Sequence, residues 1–208
     1  MQILAHRGVW ADLAERNTLT AFERAFDRGW GAEIDVRDLD GELVVSHDAP
    51  VRGALALAAV VDAYRAAGGA GQLAINVKAD GLQAALTDAL AAIDPSAWFT
   101  FDMSVPDAVV SLRQGLPVYT RHSDVEPEPV LYDAAQGVWL DDFGGGWLTE
   151  ERVAAHLAAG KRVAVVSPEL HGRDREEAWR AWRTWSVWSH PSLELCTDRP
   201  DEALEVLR

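Results

Sequence analysis

The sequence predicts an α/β protein built as one parallel (β/α)8 barrel over residues 1–208. Two observations favour this fold: eight short runs are rich in β-forming residues, and helical patterns alternate with them along the chain. No composition break, internal repeat or low-complexity tract marks a linker, so we expect a single domain. A doubly wound open sheet is the alternative architecture.

The eight predicted strands are short and are separated by segments with helical periodicity. They are Gln2 to His6, Ala32 to Arg37, Gln72 to Lys78, Ala97 to Asp102, Pro117 to Arg121, Val138 to Asp142, Arg162 to Ser167 and Leu193 to Thr197. Glycine often follows the last apolar position of a helical pattern, as at Gly29 and Gly160, where a left-handed cap is favoured. The segment between the fifth and sixth strands contains two prolines, so we expect one short or irregular βα unit there.

Composition and charge argue against several classes of function. The chain has 19 basic and 33 acidic residues, and a net charge of −14 would repel a nucleic-acid backbone. No apolar run approaches the roughly 18 residues of a membrane span, and the first residues lack a secretory pattern, so we expect a cytoplasmic protein. Cys196 is the only cysteine, which excludes an internal disulfide and predicts a small buried residue. No protein partner is inferred.

Ionisable and polar residues cluster where the predicted strands end. They are His6 and Arg7, Glu33 and Asp35, Asn76 and Lys78, Asp141 and Asp142, and Glu169 and His171. In a parallel barrel these ends form one rim, which carries the active site. Each pair taken singly is also compatible with a solvated strand end. A purely structural barrel has no need to gather so many groups that must each stay solvated or find a partner.

Two of these pairs have a spacing that suits ligand binding. Side chains two apart in a strand share a face, so Glu33 and Asp35 project together, as do Asn76 and Lys78. Two carboxylates on one side begin a site for a hard cation such as Mg²⁺ or Ca²⁺. Arg7 and Lys78 are candidate phosphate ligands. For Glu169 and His171, substrate contact and a structural salt bridge with Arg173 are equally compatible with the sequence.

The stretch "EIDVRDLDGELVVSHD" predicts a hairpin, because an Asp-Gly pair lies between two β-like runs. A two-residue turn would pair His47 with Ile34, on the face opposite the carboxylates. A three-residue loop over 40–42, with Gly41 at positive φ, would pair His47 with Asp35 instead. We therefore expect the longer loop or an equivalent bulge.

Several motifs of the sequence resemble those of a known family. The motifs "HRG", a glutamate and "NT" leading into an "AF" helix, "ExD", "DG" and "HD" within the first 48 residues resemble the glycerophosphodiester phosphodiesterases, and "CTDRP" is similar to their last strand. The resemblance implies a TIM barrel that hydrolyses a small phosphodiester substrate in lipid metabolism. It also implies attack by the neighbouring glycerol hydroxyl, giving a cyclic phosphate that water then opens.

The resemblance also implies roles for particular residues. His6 and His47 would be the general acid and base, and Glu33 and Asp35 would bind the divalent cation. The family's third acidic ligand has no counterpart here, because Asn76 stands at that position, followed by the expected lysine. Its amide oxygen can still bind calcium or magnesium.

The sequence differs from the family pattern around the third strand and in the loop after the first strand. Asp80 would supply the lost carboxylate if the end of the third strand curled inward. In "AERNT", Arg16 separates Glu15 from the asparagine, so Glu15 or the loop that carries it must shift relative to the family pattern. His122 is expected to be solvated, and His156 to lie on the surface or flank of a helix.

Two other functions remain open from the sequence alone. One is a barrel that has lost its metal with the third carboxylate and only binds a phosphate ligand. The other is a different sugar-phosphate barrel enzyme, such as an isomerase or aldolase, which a glycine-rich phosphate site after the seventh or eighth strand would favour.

Overall fold

A computed structural model describes residues 1–207, in which ten strands and seven helices follow each other along the chain. The strands are β1 Gln2–His6, β2 Gly31–Leu39, β3 Glu42–Val45, β4 Leu55–Ala56, β5 Leu73–Val77, β6 Trp98–Phe101, β7 Tyr119–His122, β8 Gly137–Leu140, β9 Arg162–Val166 and β10 Leu193–Thr197. The helices are α1 Leu19–Phe26, α2 Leu57–Ala66, α3 Gln83–Leu90, α4 Val105–Arg113, α5 Glu150–Ala158, α6 Arg175–Trp182 and α7 Pro200–Val206. All eight predicted strands are present.

Eight parallel strands follow one another around a barrel in the order β1, β2, β5, β6, β7, β8, β9, β10, and β10 pairs with β1. The predicted fold class is confirmed, with one qualification at the β6–β7 junction. There the ladder is reduced to a bridge between Thr100 and Val118, with Thr100 N–H donating to Pro117 O at 2.8 Å. The short strands β3 and β4 form an antiparallel extension on the end of β2.

Helices connect the barrel strands except between β7 and β8, where the proline-containing segment makes the irregular unit that the sequence predicts. Each helix packs its apolar face against the outside of the sheet. Phe22 and Phe26 of α1, for example, are buried with Ile34 and Val36 of β2. None of the described helices combines the length and apolar character needed to cross a bilayer.

Strand alternation fills the barrel interior with side chains, so the interior is a packed core. The inward cluster is Leu4, Ala74, Phe99, Phe101, Tyr119, Trp139, Ala164, Val166 and Cys196. Phe99 and Tyr119 stack with ring centroids 3.6 Å apart, directly across the β6–β7 junction. Aromatic stacking therefore fills the place where backbone hydrogen bonds are fewest. Cys196 is buried, as expected.

The "HRG" motif fixes how β1 turns into the site. Arg7 adopts φ of 57° and Gly8 φ of 87°, so the chain reverses direction immediately after His6. A Cβ on Gly8 would lie 2.6 Å from the backbone of Ala21, so only glycine lets α1 approach this closely. Thr18 then caps α1 by accepting the N–H of Ala21 at 3.3 Å.

Candidate active site

A cavity of about 340 Å³ opens at the carboxyl ends of the barrel strands. Of the residues that the sequence places at the rim, eight line it: His6, Arg7, Glu33, His47, Asn76, Lys78, Asp141 and His171. Asp35 is fully buried beneath this lining and contacts two of its members. Asp80 and Glu169 are not brought to the cavity wall.

His6 is oriented by a carboxylate that immediately follows the last strand of the barrel. Its Nδ1 lies 2.6 Å from Oδ1 of Asp198, and its Nε2 lies 3.9 Å from Oε2 of Glu33. Asp198 was not singled out from the sequence, although it belongs to the "CTDRP" motif. Its backbone N–H donates to Glu169 Oε1 at 3.1 Å, so Glu169 supports the site from behind.

Arg16 and Glu15, the two residues that depart from the family pattern in "AERNT", lie on different sides of their loop. Arg16 lines the cavity and donates to Oδ2 of Asp198 at 2.8 Å, while its guanidinium lies 4.2 Å from the ring centroid of Trp10. Glu15 instead pairs with Arg24 at 2.9 Å on the outer side of the loop. The guanidinium of Arg16 therefore lies beside the cavity, and Glu15 lies away from it.

Asp35 is a buried anion held by three donors. Arg7 Nε and Asn17 Nδ2 both lie 2.9 Å from its Oδ2, and Lys78 Nζ lies 3.3 Å from its Oδ1. Both Arg7 and Asn17 have φ of 57°, a left-handed conformation that directs them toward this carboxylate. The ion pairs offset the cost of burying the charge.

Glu33 and Asn76 form the second oxygen pair of the site. Asn76 Nδ2 donates to Glu33 Oε1 at 3.0 Å. Burial, and then the neighbouring charge of Asp35, raise the pKa of Glu33 to about 7, although His6, Arg7 and Asn76 act in the opposite direction. At neutral pH the Glu33 carboxyl is therefore partly protonated unless a further positive charge stabilises its ionised form.

The site offers buried oxygen atoms that fit a divalent cation. Glu33 Oε2 and Asn76 Oδ1 are buried without a hydrogen-bond partner, and Asp35 Oδ1 has only the ion pair with Lys78. Unpartnered buried oxygens of this kind match the preference of Mg²⁺ and Ca²⁺. Among residues 1–207 no group of three or more His, Cys, Asp or Glu side chains is arranged to hold a metal, so the fit depends on the amide oxygen of Asn76.

The predicted three-residue hairpin loop is wrong. Leu39 pairs with Glu42, so the turn has two residues, and Asp40 and Gly41 both have positive φ (53° and 90°), as a type I′ turn requires. His47 nevertheless lines the cavity because β3 ends at Val45. Beyond Val45 the chain is no longer part of β3, so strand register does not determine where the His47 side chain lies.

His47 is the most exposed of the histidines at the cavity. Its Nδ1 lies 2.9 Å from Oδ1 of Asp48, whose side chain is 93% exposed. The guanidinium of Arg37 donates to the backbone carbonyl of His47 at 3.0 and 3.1 Å, which holds the loop at the mouth of the cavity. His47 thus has a fixed backbone but a solvated carboxylate partner.

Asp80 and Glu169, which were also predicted for the site, lie outside the cavity lining. Asp80 is exposed and accepts a hydrogen bond from Ser104 Oγ at 2.8 Å, so the end of β5 does not curl inward. Glu169 accepts from Thr197 Oγ1 at 2.5 Å and from Ser167 Oγ, and makes no salt bridge with Arg173. That arginine donates to the carbonyl of Asp142.

The side of the cavity formed by β7, β8 and β9 carries a second histidine–aspartate pair. His171 Nε2 lies 2.5 Å from Oδ1 of Asp141, and Arg121 Nη1 lies 3.7 Å from Oδ2 of the same carboxylate. Apolar side chains complete this side: Phe101, Trp139, Phe143, Val166 and Leu170. Asp142, in contrast, accepts backbone N–H groups of the glycine-rich loop, including that of Gly145 at 2.8 Å.

Two histidines behind this side are buried, contrary to expectation. His122 Nδ1 lies 2.9 Å from His156 Nε2, and Tyr132 OH lies 2.9 Å from His156 Nδ1. Burial, then the proximity of His122, lower the pKa of His156 to about 4. The residues are 34 positions apart, so only the folded arrangement of α5 and the end of β7 brings them together.

Known proteins were compared with this chain. No family model matches it, and no curated protein does. Solved structures match over nearly its whole length. A glycerophosphodiester phosphodiesterase from Parabacteroides distasonis is 16% identical with a TM-score of 0.73, over 99% of this chain and 96% of its own. One from Agrobacterium tumefaciens is 20% identical with a TM-score of 0.70, over 99% and 98%.

A phosphodiesterase from Oleispira antarctica, solved in complex with the product sn-glycerol-3-phosphate, is 17% identical with a TM-score of 0.69, over 100% of this chain and 96% of its own. These identities are low, and the likeness concerns the whole barrel rather than a single motif. The chain therefore has the fold of the glycerophosphodiester phosphodiesterases, as its N-terminal motifs predict.

Proposed function

We propose that this chain is a metal-dependent phosphodiesterase that hydrolyses a small glycerophosphodiester-like substrate. The observation that carries the proposal is one cavity in which a histidine oriented by a buried carboxylate meets unpartnered buried oxygens and two cations. The shared fold supports it, because solved phosphodiesterases match the chain along nearly its full length.

The proposed cation is Mg²⁺ or Ca²⁺, held by Glu33, Asp35 and Asn76. When bound, it would supply positive charge that neutralises the phosphate and lowers the barrier to attack at phosphorus. Glu33 contributes a buried carboxyl whose pKa is raised to about 7, so the cation would bind it in competition with a proton.

Arg7 and Lys78 are the proposed phosphate ligands of the chain itself. Both line the cavity, and both already share their charge with Asp35, which keeps their side chains extended toward the site. An incoming phosphate would accept hydrogen bonds from their remaining N–H groups, as charge-assisted contacts favour. Arg16 adds a third cation at the edge of the same cavity.

His6 and His47 are the proposed general acid and base. Asp198 holds Nδ1 of His6, which leaves Nε2 for proton transfer at the substrate. His47 projects from a loop anchored through Arg37 at the mouth of the cavity. In the reaction implied by the resemblance, the glycerol hydroxyl gives its proton to one histidine as it attacks phosphorus. The P–O bond to the leaving alcohol breaks, and that oxygen takes a proton from the other histidine. Water later opens the cyclic phosphate with the two roles exchanged.

The test is hydrolysis of glycerophosphocholine by the wild-type chain with Mg²⁺, Ca²⁺ or a chelator, alongside His6→Ala and His47→Ala. We expect the chelator to abolish turnover and each substitution to lower kcat/KM by about 10²–10⁴-fold. His190→Gln is the matched control, because His190 lies outside the cavity lining. Binding of glycerol 3-phosphate without hydrolysis of any diester would instead describe a phosphate-binding barrel and contradict the proposal.

A further inference from the structure

We propose that Arg16 is a positioning residue, which orients the imidazole of His6 by fixing the carboxylate of Asp198. The inference deepens the phosphodiesterase function proposed above and rests on it. Arg16 is the residue that interrupts the family pattern in "AERNT", so the contact is a property of this chain's own sequence.

The carboxylate of Asp198 has a different side-chain partner at each oxygen. Its Oδ1 lies 2.6 Å from Nδ1 of His6, and its Oδ2 accepts a hydrogen bond from Nη2 of Arg16 at 2.8 Å. The side chain of Asp198 is 8% exposed, so solvent has little access to either oxygen. Removal of the Arg16 guanidinium would therefore leave a nearly buried carboxylate oxygen without its partner, which costs free energy.

The second partner matters for orientation because the last torsion of an aspartate side chain has broad energy minima. A single hydrogen bond at Oδ1 would let the carboxylate of Asp198 rotate, and the imidazole of His6 would follow it. The charge-assisted hydrogen bond from Arg16 to Oδ2 fixes the plane of the carboxylate. The imidazole is then held in one orientation at the cavity.

Arg16 and His6 are also joined through Trp10. The guanidinium of Arg16 lies 4.2 Å from the ring centroid of Trp10, and the indole Nε1 of Trp10 donates to the backbone carbonyl of His6 at 3.1 Å. Trp10 is itself buried. The four residues Arg16, Asp198, His6 and Trp10 thus form a closed ring of contacts. Both the side chain and the backbone of His6 depend on the position of one guanidinium.

The backbone of the loop directs Arg16 toward Asp198. Arg16 is extended, with φ of −55° and ψ of 141°, whereas the next residue, Asn17, has φ of 57°. Asn17 donates from Nδ2 to Asp35 at 2.9 Å and from its backbone N–H to the carbonyl of Arg7 at 3.0 Å. Adjacent residues of the loop therefore reach two different carboxylates of the site.

A direct contact with the phosphate is the alternative role for Arg16, because Arg16 lines the cavity. The two roles predict different kinetics. A residue that binds the ground state and the transition state equally changes mainly KM, whereas a residue that orients the general acid or base changes mainly kcat. The hydrogen bond from Arg16 to a nearly buried carboxylate favours the positioning role.

The experiment is a double-mutant cycle between Arg16→Met and Asp198→Asn, with glycerophosphocholine as substrate and Mg²⁺ present. Methionine keeps an unbranched side chain against Trp10 but has no donor and no charge. We expect Arg16→Met to lower kcat by about 10–100-fold and to change KM by less than about 3-fold. In the Asp198→Asn background the same substitution should lower kcat by less than about 3-fold, because the carboxylate through which Arg16 acts is gone.

Arg16→Lys tests for rescue, because lysine can still donate to Oδ2 although it lacks the planar guanidinium, and kcat should fall by less than about 5-fold. Arg28→Met is the matched control. Arg28 also lies over a tryptophan, Trp30, at 5.5 Å and pairs with an aspartate, Asp201, at 3.8 Å, but it lies outside the cavity lining. This control should retain the kcat and KM of wild type.

Thermal unfolding of each variant checks that it folds, and Arg16→Gln takes its place in the cycle if Arg16→Met does not. A loss confined to KM, or an equal loss of kcat in both backgrounds, would overturn the positioning role and leave the phosphodiesterase function in place. Unchanged kinetics without the Arg16 guanidinium would have the same consequence. A wild-type chain that hydrolyses no diester with Mg²⁺ or Ca²⁺ would overturn the proposed function, and this inference with it.

Discussion

The two sides of the cavity orient a histidine in the same way, but the partner residues come from different places. On one side His6 contacts Asp198, which follows β10, at 2.6 Å, and on the other His171 contacts Asp141, which follows β8, at 2.5 Å. His47, by contrast, pairs with its sequence neighbour Asp48, which is 93% exposed. A histidine at this cavity is therefore held in one orientation where its carboxylate partner is buried and comes from a distant part of the chain. A partner that is adjacent in sequence and exposed does not hold it in this way.

The largest expected effect comes from breaking the His6 pair. Asp198→Asn removes the charge that holds His6 Nδ1 and also weakens the contact of Arg16. We expect kcat on glycerophosphocholine to fall by about 10²–10⁴-fold with a smaller change in KM, because orientation and charge stabilisation of the imidazole are lost. Steady-state kinetics measures both constants.

Asp48→Asn is the matched control for that change. The same substitution beside His47 removes a solvated carboxylate, and solvent already screens its charge, so we expect kcat to change by less than about 2-fold. Equal losses in the two variants would contradict the distinction between buried and exposed carboxylate partners.

A smaller effect is expected from restoring the missing acidic ligand. Asn76→Asp adds a carboxylate beside Glu33 with little change in volume. Without metal the like charges should lower the melting temperature, and with Mg²⁺ or Ca²⁺ the stabilisation should exceed that of wild type, corresponding to about 10-fold tighter binding. Thermal unfolding measured across a metal titration gives the melting temperature without metal and the affinity for the metal.

Asp80→Asn is the control on the same segment, because Asp80 is exposed and bonded to Ser104 outside the cavity. It should leave the metal titration unchanged. A response to Asp80→Asn, or no response to Asn76→Asp, would show that the oxygens identified here are not the cation ligands.

The smallest effect concerns pH and the buried histidines behind β7. The folded-state pKa of His156 is lowered to about 4 from 6.5, so its contribution to stability is present above about 6.5 and is lost as pH falls through about 4. Urea unfolding at pH 7 and pH 4.5 should show a smaller loss of unfolding free energy in His156→Gln than in wild type. His47→Gln is the exposed control, and identical pH dependence in wild type and His156→Gln would refute the assignment.

The sequence predicts the elements of the fold better than the contacts of the site. Alternation along β2 correctly directs Glu33 and Asp35 inward, and the bounds of β1 and β10 agree with the structure. Alternation from Glu194 and Cys196 would also have directed Asp198 inward, so that residue was within reach of the same argument. The length of the hairpin turn could not be predicted by this argument, because Asp40 adopts a positive φ that aspartate tolerates but does not require.

Pairings between distant residues could not be predicted from one sequence. Asp141 and His171 are both recognisable as rim residues, but 30 positions separate them, and their contact depends on how the turn after β9 folds over β8. The contact of His122 with His156 likewise depends on the seating of α5 against the barrel. Side-chain periodicity specifies which face a residue occupies, whereas contacts between elements follow from the closed barrel.

The contact between His6 and Asp198 joins residues 192 positions apart, since β1 and β10 are the first and last of the described strands and lie side by side. During synthesis, β1 leaves the ribosome before β10, so its histidine cannot gain this carboxylate until all the strands between them have been made. A nascent or truncated chain that lacks the final strand would hold this imidazole unoriented. Docking of β10 against β1 therefore closes the barrel wall and orients the imidazole of His6 in a single event.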